Sequence, residues 1–202
     1  MAAQITDDFI YEDKEYAIAA STGSLGFRPR DAGLHPVPLQ HNVRRGYWCL
    51  YTVNGERLQL RDLFVHDSGG EYPPINGREA APPPQLRDDP AMFFRQMGYH
   101  HYADLQLDLP YSGSILLGAD FLHSYYHFRR PAAAWGYQTL LELTFADGRL
   151  TLAEDRSETA AALRERVDRA RSENGLTPED CLGNPTVDQR AVQEAGLDLW
   201  WL

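Results

Sequence analysis

Gly46-Tyr-Trp-Cys-Leu-Tyr-Thr-Val-Asn-Gly-Glu-Arg-Leu-Gln-Leu-Arg-Asp-Leu63 and Gly136-Tyr-Gln-Thr-Leu-Leu-Glu-Leu-Thr-Phe-Ala-Asp-Gly-Arg-Leu-Thr-Leu152 read as one β-hairpin written twice. Asn54-Gly55 and Asp147-Gly148 are two-residue turn signals, because both central residues of a type I′ turn take positive φ. Centred on these pairs, the first hairpin sets Tyr51 opposite Leu58 and Cys49 opposite Leu60, and the second sets Phe145 opposite Leu150 and Leu143 opposite Leu152. Each then has one apolar face. The other face is mixed, with Leu50 beside Gln59, Thr52 beside Arg57 and Thr144 beside Thr151.

A third hairpin is expected at the start: Phe9 to Tyr11, a polar turn through Glu12 to Glu15, then Tyr16 to Ala20. Residues 27–38 hold three prolines and a glycine and predict a loop or a short helical turn. Residues 68–90 are Pro-rich and too long for a passive connector, so they form an Ω-like excursion or a semi-rigid spacer. Alternation over Ala103 to Asp108 and the apolar run Tyr111 to Gly118 predict further strands, and residues 120–130 read as strand or a one-turn helix. After residue 155 the pattern turns helical. Ser157 is the expected N-cap, Ala160, Leu163, Val167 and Ala170 form an apolar stripe, and Asn174-Gly175 ends the helix. Thr186 with Gln189 opens a second helix that closes by Gly196.

The fold class expected is α+β: a curved antiparallel sheet or partly closed β-barrel of repeated hairpins over residues 1–155, carrying an acidic helical segment, 156–202, packed on one face or edge. Internal duplication and convergence on restricted turn chemistry both account for the repeat.

With 202 residues and 43% hydrophobic content the chain can bury a core. It lacks an apolar run of the roughly 18 residues that a membrane span needs, and no basic, then apolar, leader follows Met1. A cytoplasmic location is therefore expected. Cys49 and Cys181 give neither a disulfide framework nor metal spacing and read as buried thiols. The net charge is −10, and residues 153–202 hold 11 acidic and 6 basic residues, which disfavours phosphate backbones and favours a basic partner. Of 19 basic residues only Lys14 is lysine, a bias that reflects base composition in a GC-rich, bacterial genome.

Four constellations are candidates for function. The terminal Trp200 and Trp201 would anchor a protein partner if they do not fold back on their own sheet, with Glu154, Asp155, Glu158, Glu179 and Asp180 steering encounter. The pairs Arg44-Arg45 and Arg129-Arg130 each precede a hairpin and would hold an anion if they converge; solvated strand-end charge is the plainer account. Aromatic residues concentrated in the β-rich part suit a ligand cavity or simply a large core. His101, His123 and His127 would bind metal if residues 123–127 were helical, whereas in a strand the i, i+4 rings stand about 13 Å apart. No Gly-x-Ser-x-Gly elbow, dinucleotide fingerprint or phosphate loop is present, and no cofactor is expected.

Through Gly46-Tyr-Trp-Cys49, Pro74-Ile-Asn-Gly77 and Glu142 to Gly148, with the leading hairpin Phe9 to Ile18, residues 5–155 resemble a widespread group of small uncharacterised bacterial proteins. The resemblance implies a single β-rich fold and transfers no activity, and the acidic tail lies outside it. The expected function is a non-enzymatic protein-binding module for a basic partner, in the manner of immunity or antitoxin-like proteins. A small-ligand-binding barrel and a metal-dependent enzyme are the alternatives, and whether the chain is an enzyme is left open.

Overall fold

A computed structural model describes residues 4–84, 98–126, 132–173, 175 and 185–197. The three expected hairpins form β1 (Asp8–Tyr11) with β2 (Lys14–Ser21), β3 (Tyr47–Asn54) with β4 (Arg57–Val65), and β8 (Tyr137–Ala146) with β9 (Arg149–Asp155). Between them come β5 (His100–Tyr102), β6 (Leu107–Asp108) and β7 (Gly113–Phe121). Seven strands close in the order β3, β1, β2, β7, β8, β9, β4 and back to β3, while β5 and β6 attach to the outer edge of β4.

The barrel is mixed, which corrects the expectation of an antiparallel sheet: β1 and β3 run parallel, with Phe9 beside Tyr51. Closure explains it. Strand direction reverses at every antiparallel neighbour, so returning to the first strand requires an even number of reversals. A seven-stranded ring must therefore contain an odd number of parallel neighbours.

Two registers also differ from the sequence reading. In the first hairpin Gly55 and Glu56 hold the positive φ angles, 53° and 69°, so Asn54 pairs with Arg57 and Tyr51 with Leu60; a bulge then sets Cys49 opposite Leu63. In the second, Asp147 and Gly148 make the turn and Phe145 meets Leu150, but a bulge puts Leu143 opposite Ala153 and Thr144 opposite Leu152. A bulge adds one residue to one strand and shifts every later pair.

Alternate residues fill the ring. Phe9, Tyr51, Leu58, Leu60, Leu63, Ile115, Leu117, Leu143 and Phe145 are all buried in one cluster, as expected for a barrel of this strand number, whose interior is just wide enough for side chains. The expected excursion is ordered over 68–84. Ile75 is 6% exposed and inserts into the same cluster, Tyr102 donates to the Pro73 carbonyl at 2.8 Å and Asn76 Nδ2 donates to the Leu105 carbonyl at 2.7 Å. Buried Asp67 accepts the His35 and Gly69 backbone N–H groups and fixes the base of this loop. Residues 85–90 of the expected excursion lie outside the described residues.

The expected strand over Ala103 to Asp108 is broken, because Asp104 and Gln106 take φ of 51° and 49° between β5 and β6. β7 runs on to Phe121, and a 3-10 turn follows at His123–Tyr125.

β4 and β9 share a single ladder pair, Arg57 with Arg149. Around it Leu58 N–H donates to the Gly148 carbonyl (2.8 Å), Leu150 N–H to the Glu56 carbonyl (2.8 Å) and Gly148 N–H to the Tyr111 carbonyl (2.7 Å).

The helix α1 (Ser157–Glu173) lays Ala160, Leu163 and Val167 on Leu116 of β7 and Leu140 of β8, and α2 (Pro185–Glu194) adds Val192 to that second core. Arg164 pins α1 by donating to the carbonyls of Trp135 (2.8 Å) and Tyr137 (2.7 Å). α2 closes with Gly196 at φ 72°, its N–H on the Gln193 carbonyl and the Leu197 N–H on the Val192 carbonyl, which is a Schellman motif. No helix among the described residues is long and apolar enough to cross a membrane.

Candidate binding cleft

β1 and β2 stay paired from the turn as far as the bond from Ile18 N–H to the Asp7 carbonyl at 2.8 Å, and then diverge. β2 runs on to Ser21 along β7, with Ala19 as an extra residue between the Ile18 and Ala20 pairs. Residues 4–7 turn the other way. Ile5 N–H donates to the Asn42 carbonyl (2.8 Å), Gln4 Nε2 to the His41 carbonyl (3.1 Å) and Arg44 N–H to Gln4 Oε1 (3.0 Å). The parted wall leaves a cleft of about 400 Å³. Ile5, Ile18, Leu25, Phe27, Tyr47 and Tyr51 give it apolar lining, and Gln4, Thr6, Ser21, Ser24, Asp7, Arg44 and Arg45 add polar groups.

One corner is fixed electrostatically. Asp7 Oδ1 accepts Arg45 Nη2 at 2.7 Å and the Cys49 N–H at 2.8 Å, and Oδ2 accepts Arg45 Nη1 at 3.0 Å. The Arg45 guanidinium lies 4.9 Å over the Tyr47 ring. Burial by itself would lower the Arg45 pKa, but the Asp7 carboxylate outweighs it and raises it. Burial, with Asp7 close by, pushes the Cys49 thiol well up, which favours its protonated form.

The arginine pair is thus split between two states: Arg45 is committed to Asp7, whereas exposed Arg44 has no ion pair among the described residues. Arg129 and Arg130 lie outside the described residues, so convergence of the two pairs is not part of this site. The sequence signal for the cleft was the Arg44-Arg45 pair; Asp7, Ile18 and Leu25 carried none, because their role depends on two strands parting.

His101 and His123 are apart. His101 on β5 stacks on Phe64 with ring centroids 4.2 Å apart, and its Nε2 is 3.4 Å from Asp62 Oδ1. Burial favours the protonated Asp62 carboxyl, but His101 and the Asp104 N–H, at 2.9 Å, hold its pKa below the usual carboxylate value. His123 follows β7, on the far side of the strand order, against the edge of Phe121. His127 lies outside the described residues. Among the described residues no group of three or more His, Cys, Asp or Glu side chains could hold a metal ion.

Glu154, Asp155 and Glu158 meet at the junction of β9 and α1. Glu154 pairs with Arg156, and Asp155 Oδ1 accepts the Ser157 N–H at 2.8 Å. The helix therefore starts one residue earlier than expected: the Arg156 carbonyl accepts the Ala160 N–H, Asp155 caps the first turn, and the Ser157 hydroxyl accepts the Leu140 N–H of β8 at 3.1 Å. Bonding to Ser157 lowers the Asp155 pKa from its ordinary value of 3.8. A lowered folded-state pKa stabilises the fold above the unfolded value and is lost as pH falls through the folded one. Asp155→Ala is expected to cost about 1 kcal/mol at pH 7. In urea titrations across pH the gap to wild type should close as pH drops below about 4; a gap independent of pH would remove the cap from the account. Glu179, Asp180, Trp200, Trp201 and Cys181 lie outside the described residues.

Comparison of the chain with protein-family models, with curated proteins and with solved structures finds no match.

Proposed function

We propose that this protein is a binding protein whose ligand is a small molecule held in the cleft between residues 4–7 and the end of β2. The observation that carries the reading is the parted barrel wall: an opening of about 400 Å³, apolar on its walls and provided with a few placed polar groups. That is the general character of a small-molecule site, although its size is at the lower end of the range. Its floor is pre-formed, since Tyr51 is 4% exposed and belongs to the barrel core. A basic protein partner is the reading that composition favours. Of the acidic groups it would use, Glu154 and Asp155 already have local partners, so the cleft has the stronger support.

The test is a titration with the neutral fluorescent probe phenylnaphthylamine. Wild-type protein should bind one equivalent saturably. Ser24→Trp, a change at an exposed residue of the cleft lining, should weaken binding about tenfold or more, the effect of blocking a contact worth 1.4 kcal/mol. Non-saturable binding, or equal binding by a folded Ser24→Trp variant, would count against the cleft.

A further inference from the structure

We infer that the cleft selects an amphipathic monoanion, an apolar body bearing one carboxylate, with Arg44 as the carboxylate-binding residue; the inference rests on the small-molecule reading above. The chain carries a net charge of −10, yet among the described residues the only ionisable acid or base groups lining the cleft, tyrosines aside, are Asp7, Arg44 and Arg45. The charge of Asp7 is cancelled by Arg45 through two hydrogen bonds, at 2.7 and 3.0 Å. One positive charge is left over, on Arg44, within an otherwise acidic protein.

That excess sets the class of ligand. A guanidinium fork matches a planar carboxylate with two parallel N–H donors. A single excess charge neutralises a monoanion, whereas a dianionic phosphate would keep an uncompensated charge beside Ile18, Leu25 and Phe27, where desolvation is costly. A neutral ligand would use the same walls and leave Arg44 to water. The backbone of Arg44 is itself held, its N–H on Gln4 Oε1 at 3.0 Å, so the residue is placed at the rim before any ligand arrives. Arg45 already commits two guanidinium donors, and its charge, to Asp7.

The experiment is displacement of bound phenylnaphthylamine by naphthylacetate and by naphthylethanol, which share one ring system and differ in the carboxylate. Naphthylacetate should compete about tenfold more strongly, as a charge-assisted pair predicts. Arg44→Ala, a change at an exposed side chain, should reduce the acid to the level of the alcohol, with an unaltered melting temperature showing that the fold is intact. Equal competition in wild type, no competition by either compound, or a preference that survives Arg44→Ala overturns the carboxylate assignment while probe binding keeps the cleft. Failure of the probe itself to bind overturns the cleft reading instead.

Discussion

Replacing Gly148 with alanine is expected to destabilise the protein by about 4 kcal/mol, while Gly55→Ala costs about 1 kcal/mol. Both residues sit in two-residue hairpin turns with positive φ, 75° and 53°, so both substitutions bear the same left-handed penalty. The surroundings differ. A Cβ on Gly55 meets no atom within 4 Å, whereas a Cβ on Gly148 would stand 2.2 Å from the Leu109 carbonyl oxygen. That oxygen cannot swing aside cheaply, because it accepts the Tyr111 N–H at 2.9 Å and the Leu109 N–H is bound to the Leu58 carbonyl at 3.0 Å. The strain falls where the ring is weakest, at the single β4–β9 ladder pair. Urea unfolding of the two variants beside wild type separates the contributions. Equal losses would show that the seam yields freely and that Gly148 is needed only for its backbone angle.

The same seam explains what could be read from the amino-acid order and what could not. Turn chemistry is local, so all three hairpins were legible from Glu12 to Glu15, Asn54-Gly55 and Asp147-Gly148. The first register was not, because the Glu56 carbonyl accepts from Leu150 N–H of the other hairpin and Arg57 Nη1 donates to the Asp147 carbonyl at 3.1 Å. These are bonds between turns about ninety residues apart, which no local rule contains. The parallel β1–β3 pair is equally non-local and follows from ring closure. Of the cleft, only the arginine pair was legible. Its walls come from the bulge at Ala19 and from residues 4–7 crossing to 41–44, and nothing in alternation or spacing announces where two paired strands will separate.

Asp7→Ala is expected to cost about 3 kcal/mol and to abolish binding in the cleft, because it removes an acceptor that three donors share. The Asp7 side chain is 10% exposed and Cys49 is fully buried, so the orphaned Cys49 N–H finds no water in place of the carboxylate. Arg45 is 45% exposed and partly rehydrates, so its ion pair contributes the smaller share. Asp7→Asn separates the two. An amide oxygen still accepts the Cys49 N–H, while its neutral side chain cannot balance Arg45; the expected cost is about 1 to 2 kcal/mol. A double-mutant cycle with Arg45→Ala should return a coupling near 1 kcal/mol for the exposed side of the pair. Unfolding in urea measures the stabilities, and phenylnaphthylamine titration measures the cleft. If Asp7→Ala were as stable as wild type, residues 4–7 would not be held by this corner, and the parted wall would lose the contact that fixes its width. If Asp7→Asn retained full stability, the ion pair would be incidental and the backbone bond to Cys49 would hold the corner unaided. The order expected, alanine below asparagine below wild type, follows from the burial of the two donor residues, Cys49 and Arg45, and from nothing else in the site.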